Sequence, residues 1–305
     1  MEGGFVKNKS ETERLYKQLV KRFVRWANTR SDIRGAIIVG SRARVDHPAD
    51  EWADLDVIVI TMDPEYYLAT NDWLENIGSP LLTFVEPTAA GDEMERRVLF
   101  EGMLDVDFSI IPKEKVQQLV QVGIPPQIKA QIANVFGRGM FVLLDKDGTI
   151  AQLQGFISAT EMSTHRRPSQ QKFLEVVNDF IYHSVWTTIK LCRGELWTAK
   201  ECSDAYMKRL LLQMIEWHAS AIRGWNYDTW FKGRFLEEWA DPMVLKGLQN
   251  SFAQYNEEDI KRGLLATIDL FRRTAMETAE RLGYSYPIEA DECVTEWVRK
   301  RLSEK

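Results

Sequence analysis

The sequence predicts an α+β N-terminal half built on a mixed β-sheet, followed by an all-α helical bundle. Short apolar runs alternate with helical patterns up to about residue 150, and long amphipathic patterns dominate after Arg166-Arg167-Pro168. Acidic side chains also recur on one face of two strand-like runs. The expected domains are 1–155 and 156–305. With no internal repeat, low-complexity segment or long Gly/Ser linker, the halves are expected to share a cleft.

The first helix is marked by Ser10-x-x-Glu13, a capping box, and by Leu15, Leu19, Val20, Phe23 and Val24 along one face. Strand-like runs follow at 36–40, 55–61, 81–86, 97–102 and 103–111. The last two flank a tight turn containing Gly102, and Pro112 ends the second. In that second run Leu104, Val106, Phe108 and Ile110 form an apolar face, opposite Asp105, Asp107 and Ser109. In the helical half, Phe173, Val176, Val177, Phe180, Ile181 and Val185 recur at helical spacing, as do Met207, Leu210, Leu211, Met214, Ile215 and His218. His218 reads as a hydrogen-bonded core histidine, and Trp52, Trp186 and Trp217 as core residues.

Gly40-Ser41-Arg42 ends the apolar run Ala36–Val39, and Asp54-Leu55-Asp56 opens the next. Alternation along a strand points Asp54 and Asp56 the same way, with Cα atoms roughly 6.5–7 Å apart. From that spacing two carboxylates converge on metal ions about 3.5–4 Å apart, which suits a nucleoside triphosphate and its magnesium. Gly40 lets the backbone approach a phosphate, and Ser41 can donate its hydroxyl and N–H to it. Arg42 either pairs with phosphate or braces the turn. The bland alternative is a turn serine and two acids at a solvent edge. A third acid, Asp107 or Asp105, favours the metal reading. The run Met140–Leu144 before Asp145-Lys146-Asp147-Gly148 is expected to close the sheet or to meet a nucleotide's base.

This arrangement resembles the nucleotidyltransferase superfamily that includes DNA polymerase β and the antibiotic nucleotidyltransferases. Over nearly the whole chain it is similar to the bacterial aminoglycoside 6-adenylyltransferases, the streptomycin-modifying family. The matching pieces are GSRA (40–43), DLDV (54–57), NDWLENIG (71–78), VDFSIIP (106–112), VLLDKDG (142–148), RRPSQQKF (166–173), MIEWHAS (214–220) and LFRR (270–273). Asn178-Asp179-Phe180, Lys190 and Arg193-Gly194-Glu195 lie among them. The resemblance implies transfer of AMP from ATP to a hydroxyl of an aminoglycoside, with Asp54 and Asp56 holding Mg2+ and Asp107 as the catalytic acid residue ahead of Asp105. It also implies triphosphate contacts from Gly40, Ser41, Arg42 and Lys190, although Lys190 taken alone reads equally as a solvated helix lysine. Among the acids of the helical half it points to Asp179 for the drug's cations. The tract between Ser41 and Asp54 and much of the helical half depart from the family, which leaves two alternatives. One is a related nucleotidyltransferase with a lincosamide or another small hydroxyl acceptor, and the other is a non-catalytic binding module.

The chain has 305 residues and a formal charge of −6, which argues against nucleic acid as the main partner and suits a polycationic one. Cys192, Cys202 and Cys293 are far apart and lack histidines at zinc spacing, so neither a disulfide nor a zinc site is expected. A polar opening and the lack of any apolar stretch near the ~18 residues of a membrane span predict a cytoplasmic protein.

Overall fold

A computed structural model describes residues 9–44, 46–88, 93–123, 125, 132, 135–158 and 167–304 of the chain, which divides into two compact units between residues 163 and 164. The opening eight residues and Arg166 lie outside the described residues. The first unit carries the mixed sheet and the second is helical, in agreement with the predicted fold class.

In the first unit, β1 (Ile33–Val39), β2 (Leu55–Thr61), β3 (Pro80–Pro87), β4 (Met94–Phe100), β5 (Leu104–Pro112) and β6 (Phe141–Asp145) form one sheet in the order β3-β4-β5-β2-β1-β6. β2 and β5 run parallel, and the other neighbours are antiparallel. One face packs on helix α1 (Lys9–Thr29), where Tyr16, Leu19, Phe23 and Ala27 meet Val57, Val59, Val106 and Phe108. The other face carries Ile37, Val39, Ile58 and Ile60 against Val116, Ile150, Leu153 and Ile157. Cover on both faces explains why β1 and β2 read as continuous apolar runs rather than alternating ones. Each fully buried side chain of this size contributes roughly 1.5–3 kcal/mol. β6 adds to the free side of β1 and so closes that edge.

Two expectations shift. Helix α1 already includes Lys9, which places Ser10 inside the helix and not at its N-cap. Strand β4 starts at Met94, three residues before the apolar run suggested. The reason is Arg96, a charged residue that is only 5% exposed. Its guanidinium donates to the carbonyls of Tyr67 and Leu68 and to Thr83 Oγ1, so hydrogen bonds replace the water it loses. Between β4 and β5, Phe100 pairs with Leu104 across Glu101-Gly102-Met103, with Gly102 and Met103 at φ 83° and 57°.

The second unit is built from helices Gln170–Cys192, Leu196–Glu201, Met207–Arg223, Pro242–Ser251, Glu257–Leu282 and Ile288–Ser303 with shorter turns between them. Ser169, Asp241 and Asn256 cap three of these, each accepting from a backbone N–H of the first turn. The predicted apolar faces form its core, in which Phe180 and Phe271 stack at 3.7 Å. His218 is buried there with Nε2 2.8 Å from Glu277 Oε2, as expected of a core histidine. Trp186 and Trp217 pack against this core, but Trp52 is 82% exposed, because it lies in the turn before β2 and not on a strand. All three cysteines are free thiols. Among the described residues no helix is long and apolar enough to cross a membrane.

Candidate active site

Strand β1 runs into a single 3-10 turn, Gly40–Arg42, beside the start of β2. Gly40 has φ +69°, and a Cβ there would overlap Asp56 Oδ2 and stand 2.9 Å from its Cγ. Glycine is therefore required both by the backbone and by the carboxylate lying over it. Gly40→Ala is expected to lower the unfolding free energy by about 1–2 kcal/mol, the cost of a left-handed conformation for an L-residue, and urea titration measures it.

Arg42 donates from Nε to the Asp54 carbonyl at 2.9 Å and from Nη2 to the Ala53 carbonyl at 2.7 Å. Its guanidinium carbon lies 3.7 Å from the centre of the Tyr16 ring. Tyr16 in turn exchanges hydrogen bonds with the backbone of Asp105, donating to its carbonyl at 3.3 Å and accepting from its N–H at 3.1 Å. Arg42 thus ties the turn to the residues that lead into β2, and Tyr16 ties both to β5. Of the two roles open to Arg42, bracing is the one these contacts perform.

Asp54 directly precedes β2, and Asp56 stands in register with Asp107 of the parallel neighbour β5. One oxygen from each of Asp54, Asp56 and Asp107 lies within 4.8 Å of the others. Asp105 is outside this group, with its side chain 47% exposed and 3.4 Å from an Arg97 nitrogen. Asp107 is buried, and burial pushes its carboxyl up to about 7. Arg97 opposes that rise, while Asp105, Asp56 and Glu95 add to it.

Arg97 of β4 stands opposite Asp107 in the sheet and forms an ion pair with it. Its Nε lies 2.9 Å from Asp107 Oδ1, close enough for an ion pair but not aimed for a hydrogen bond. Asp107 Oδ1 and Ser41 Oγ are both buried without a hydrogen-bond partner. Three converging carboxylates with an unsatisfied oxygen make a donor set that fits a hard divalent cation.

Sequence reasoning missed Arg97 and Glu95. Arg97 also reaches Glu86 at 3.3 Å, and Ser109 Oγ donates to Glu95 Oε2 at 3.4 Å. Burial raises the Glu95 carboxyl, with Arg97 opposing. The signal was available: alternation through Met94-Glu95-Arg96-Arg97 places Glu95 and Arg97 on one face, but a strand begun at Arg97 leaves Glu95 outside it and Arg97 without a role. Beside the carboxylates a cavity of ≈ 300 Å³ is lined by Val39, Asp56, Ile58, Glu95 and Ser109. A second cavity of ≈ 630 Å³ is lined by Ser41 and Arg42 together with Lys17, Lys21 and Arg44, against Glu13, Asp50 and Glu51.

Gly40, Ser41, Arg42, Asp54, Asp56 and Asp107 are brought together in the first unit, whereas Lys190 and Asp179 belong to the second. Lys190 pairs with Glu195 at 2.7 Å and lies 5.2 Å from the Trp186 ring centre. Asp179 accepts from the Tyr206 hydroxyl and lies 2.7 Å from His183 Nδ1.

A family model described as streptomycin adenylyltransferase matches residues 13–301. An aminoglycoside 6-adenylyltransferase of Bacillus subtilis is 23% identical over 295 residues, covering 93% of this chain and 96% of that protein. One from Campylobacter jejuni is 22% identical over 291 residues, covering 93% and 95%. A crystal structure of an aminoglycoside 6-adenyltransferase from Bacillus subtilis is 20% identical with a TM-score of 0.43, covering 93% of this chain and 97% of that one.

Proposed function

The chain belongs to the streptomycin adenylyltransferase family, and from that premise we propose that it transfers the adenylyl group of ATP to a hydroxyl of an aminoglycoside. Streptomycin is the favoured acceptor and pyrophosphate the second product. The observation that carries this reading is the convergence of Asp54, Asp56 and Asp107 on one point beside Gly40-Ser41. The ATP requirement favours the cytoplasm as the compartment.

Asp54 and Asp56 are proposed to hold Mg2+, which when bound supplies positive charge against the triphosphate as pyrophosphate departs. Asp107 accepts the proton of the acceptor hydroxyl while that oxygen bonds to the α-phosphorus and the bond to pyrophosphate breaks. A carboxyl raised by burial is a better base than an exposed one, and Asp107 is the member of the trio with that environment. Gly40 makes room for the Asp56 carboxylate and fixes the turn from which the unpartnered Ser41 hydroxyl donates to a phosphate oxygen. Arg42 keeps Asp54 in place through the carbonyls it holds. Lys190 contacts the triphosphate by exchanging its Glu195 partner for phosphate, and Asp179 takes a cationic group of the acceptor.

Mass spectrometry of a reaction containing the protein, ATP, Mg2+ and streptomycin is expected to show the drug gaining one adenylyl group. A lincosamide product in its place would reassign the acceptor, and no ATP consumption with any acceptor would overturn the reading. Asp179→Ala is expected to raise KM for streptomycin more than KM for ATP, because only the first substrate carries positive charge.

A further inference from the structure

The environment of Asp179 is more elaborate than a solvated helix acid requires. Tyr206 Oη donates to both carboxylate oxygens, at 3.1 Å from Oδ1 and 2.9 Å from Oδ2. His183, one turn further along helix Gln170–Cys192, brings Nδ1 to 2.7 Å from Oδ1 and 2.9 Å from the Asp179 backbone carbonyl, so it braces the residue through both. The rings gather as well: the centre of His183 lies 4.3 Å from that of Tyr206 and 6.2 Å from that of Trp186.

Tyr206 reaches this position from an unusual backbone. It ends a π-helical turn, Cys202–Tyr206, closed by Met207 N–H donating to the Cys202 carbonyl. One extra residue in a turn re-aims the side chains that follow by about 100° relative to a continuous α-helix, and such turns occur often at functional sites. Here the turn buries Cys202 and Ser203 while leaving Tyr206 on the Asp179 side.

The carboxylate is held but not used up. Its two oxygens offer about four lone-pair directions, of which Tyr206 and His183 occupy at most three, and the side chain is 34% exposed. Hydrogen bonding to Asp179 raises the Tyr206 phenol, so it remains protonated as a donor near neutral pH. An oriented carboxylate edged by aromatic rings is a receptor for a guanidinium or ammonium group, through charge-assisted hydrogen bonds and ring faces together.

We propose that Tyr206 and His183 are positioning residues that pre-orient Asp179, and that the resulting carboxylate binds a guanidinium or ammonium group of the acceptor. This assignment rests on the aminoglycoside reading of the chain and extends it to residues outside the catalytic unit. Pre-orientation spares the acceptor the cost of ordering the carboxylate, so its benefit falls on acceptor affinity and not on ATP.

The test measures streptomycin binding by calorimetry and steady-state kinetics on the full chain, using wild type, Tyr206→Phe, His183→Gln, Asp179→Asn and the Tyr206→Phe/Asp179→Asn pair. Tyr206→Phe is expected to weaken streptomycin binding about tenfold, the size of one hydrogen bond to a charged group, and His183→Gln by less, because its Nδ1 is shared with the Asp179 backbone carbonyl, with KM for ATP unchanged in both. The double variant is expected to bind no worse than Asp179→Asn alone, because Tyr206 acts only through that carboxylate. Additive losses, equal rises in both KM values, or unaltered streptomycin affinity in both single variants would overturn the assignment while leaving the acceptor reading intact. Wild-type protein that neither binds nor modifies an aminoglycoside would remove the acceptor reading, and this assignment with it.

Discussion

Asp107→Asn is expected to lower kcat for adenylyl transfer by at least ~10², the usual contribution of a general base, while making the metal-free protein more stable near pH 8. The two effects share a cause. The Asp107 carboxyl is raised to about 7 by burial, against roughly 3.9 for an unperturbed aspartate, so the folded protein retains a proton that the unfolded chain releases. Stability from this group is therefore full below about pH 4 and is lost as pH rises through 7, where the buried charge must form. Asparagine carries no charge to bury and leaves Arg97 with Asp105 and Glu86. Thermal midpoints of both proteins at pH 5 and pH 8, in chelator, are expected to diverge at the higher pH. Initial rates at saturating ATP report the catalytic loss. Asp105→Asn, at an exposed carboxylate outside the trio, is expected to cost far less. If Asp105 proves to be the indispensable residue, the base is misassigned.

Asp54→Asn and Asp56→Asn are each expected to reduce transfer by ~10³-fold or more, since a neutral amide forfeits several kcal/mol of cation binding and charge stabilisation. The fold should survive both. Asp54 lies outside the strand, and Asp56 packs over Gly40, where an amide of the same shape fits. A second readout avoids relying on turnover. Mg2+ relieves repulsion among three carboxylates that share a space of 4.8 Å, so it is expected to raise the wild-type thermal midpoint and to do so much less in either variant. Wild-type turnover in both variants would dissolve the metal-pair assignment, and an undiminished Mg2+ shift would place the ion elsewhere.

What the sequence alone determined was whatever depends on neighbours along the chain. Period-two alternation oriented Asp105, Asp107 and Ser109 away from Leu104, Val106 and Phe108, and helical spacing marked Phe180 as core before its stacking on Phe271 is seen. The glycine before Ser41 and the two acids around Leu55 were legible for the same reason, as was the change to helices after Pro168. Tertiary structure alone decided which of these local features meet. Only the sheet order sets β5 beside β2, in parallel register, and so brings Asp107 rather than Asp105 to Asp56 across fifty intervening residues. The same order presents Arg97 and Glu95, of which Glu95 lay outside the strand-like run because a strand's apolar signal fades where polar side chains find partners across the sheet. It also turned Arg42 toward the carbonyls of Ala53 and Asp54, left Trp52 in solvent, and supplied Tyr206 to Asp179 through a π turn that has no periodic signature. Periodicity tells a residue which way to face. Which partner stands there is settled only by how distant segments pack, because a hydrogen bond or ion pair depends on distance and angle in space and not on separation along the chain.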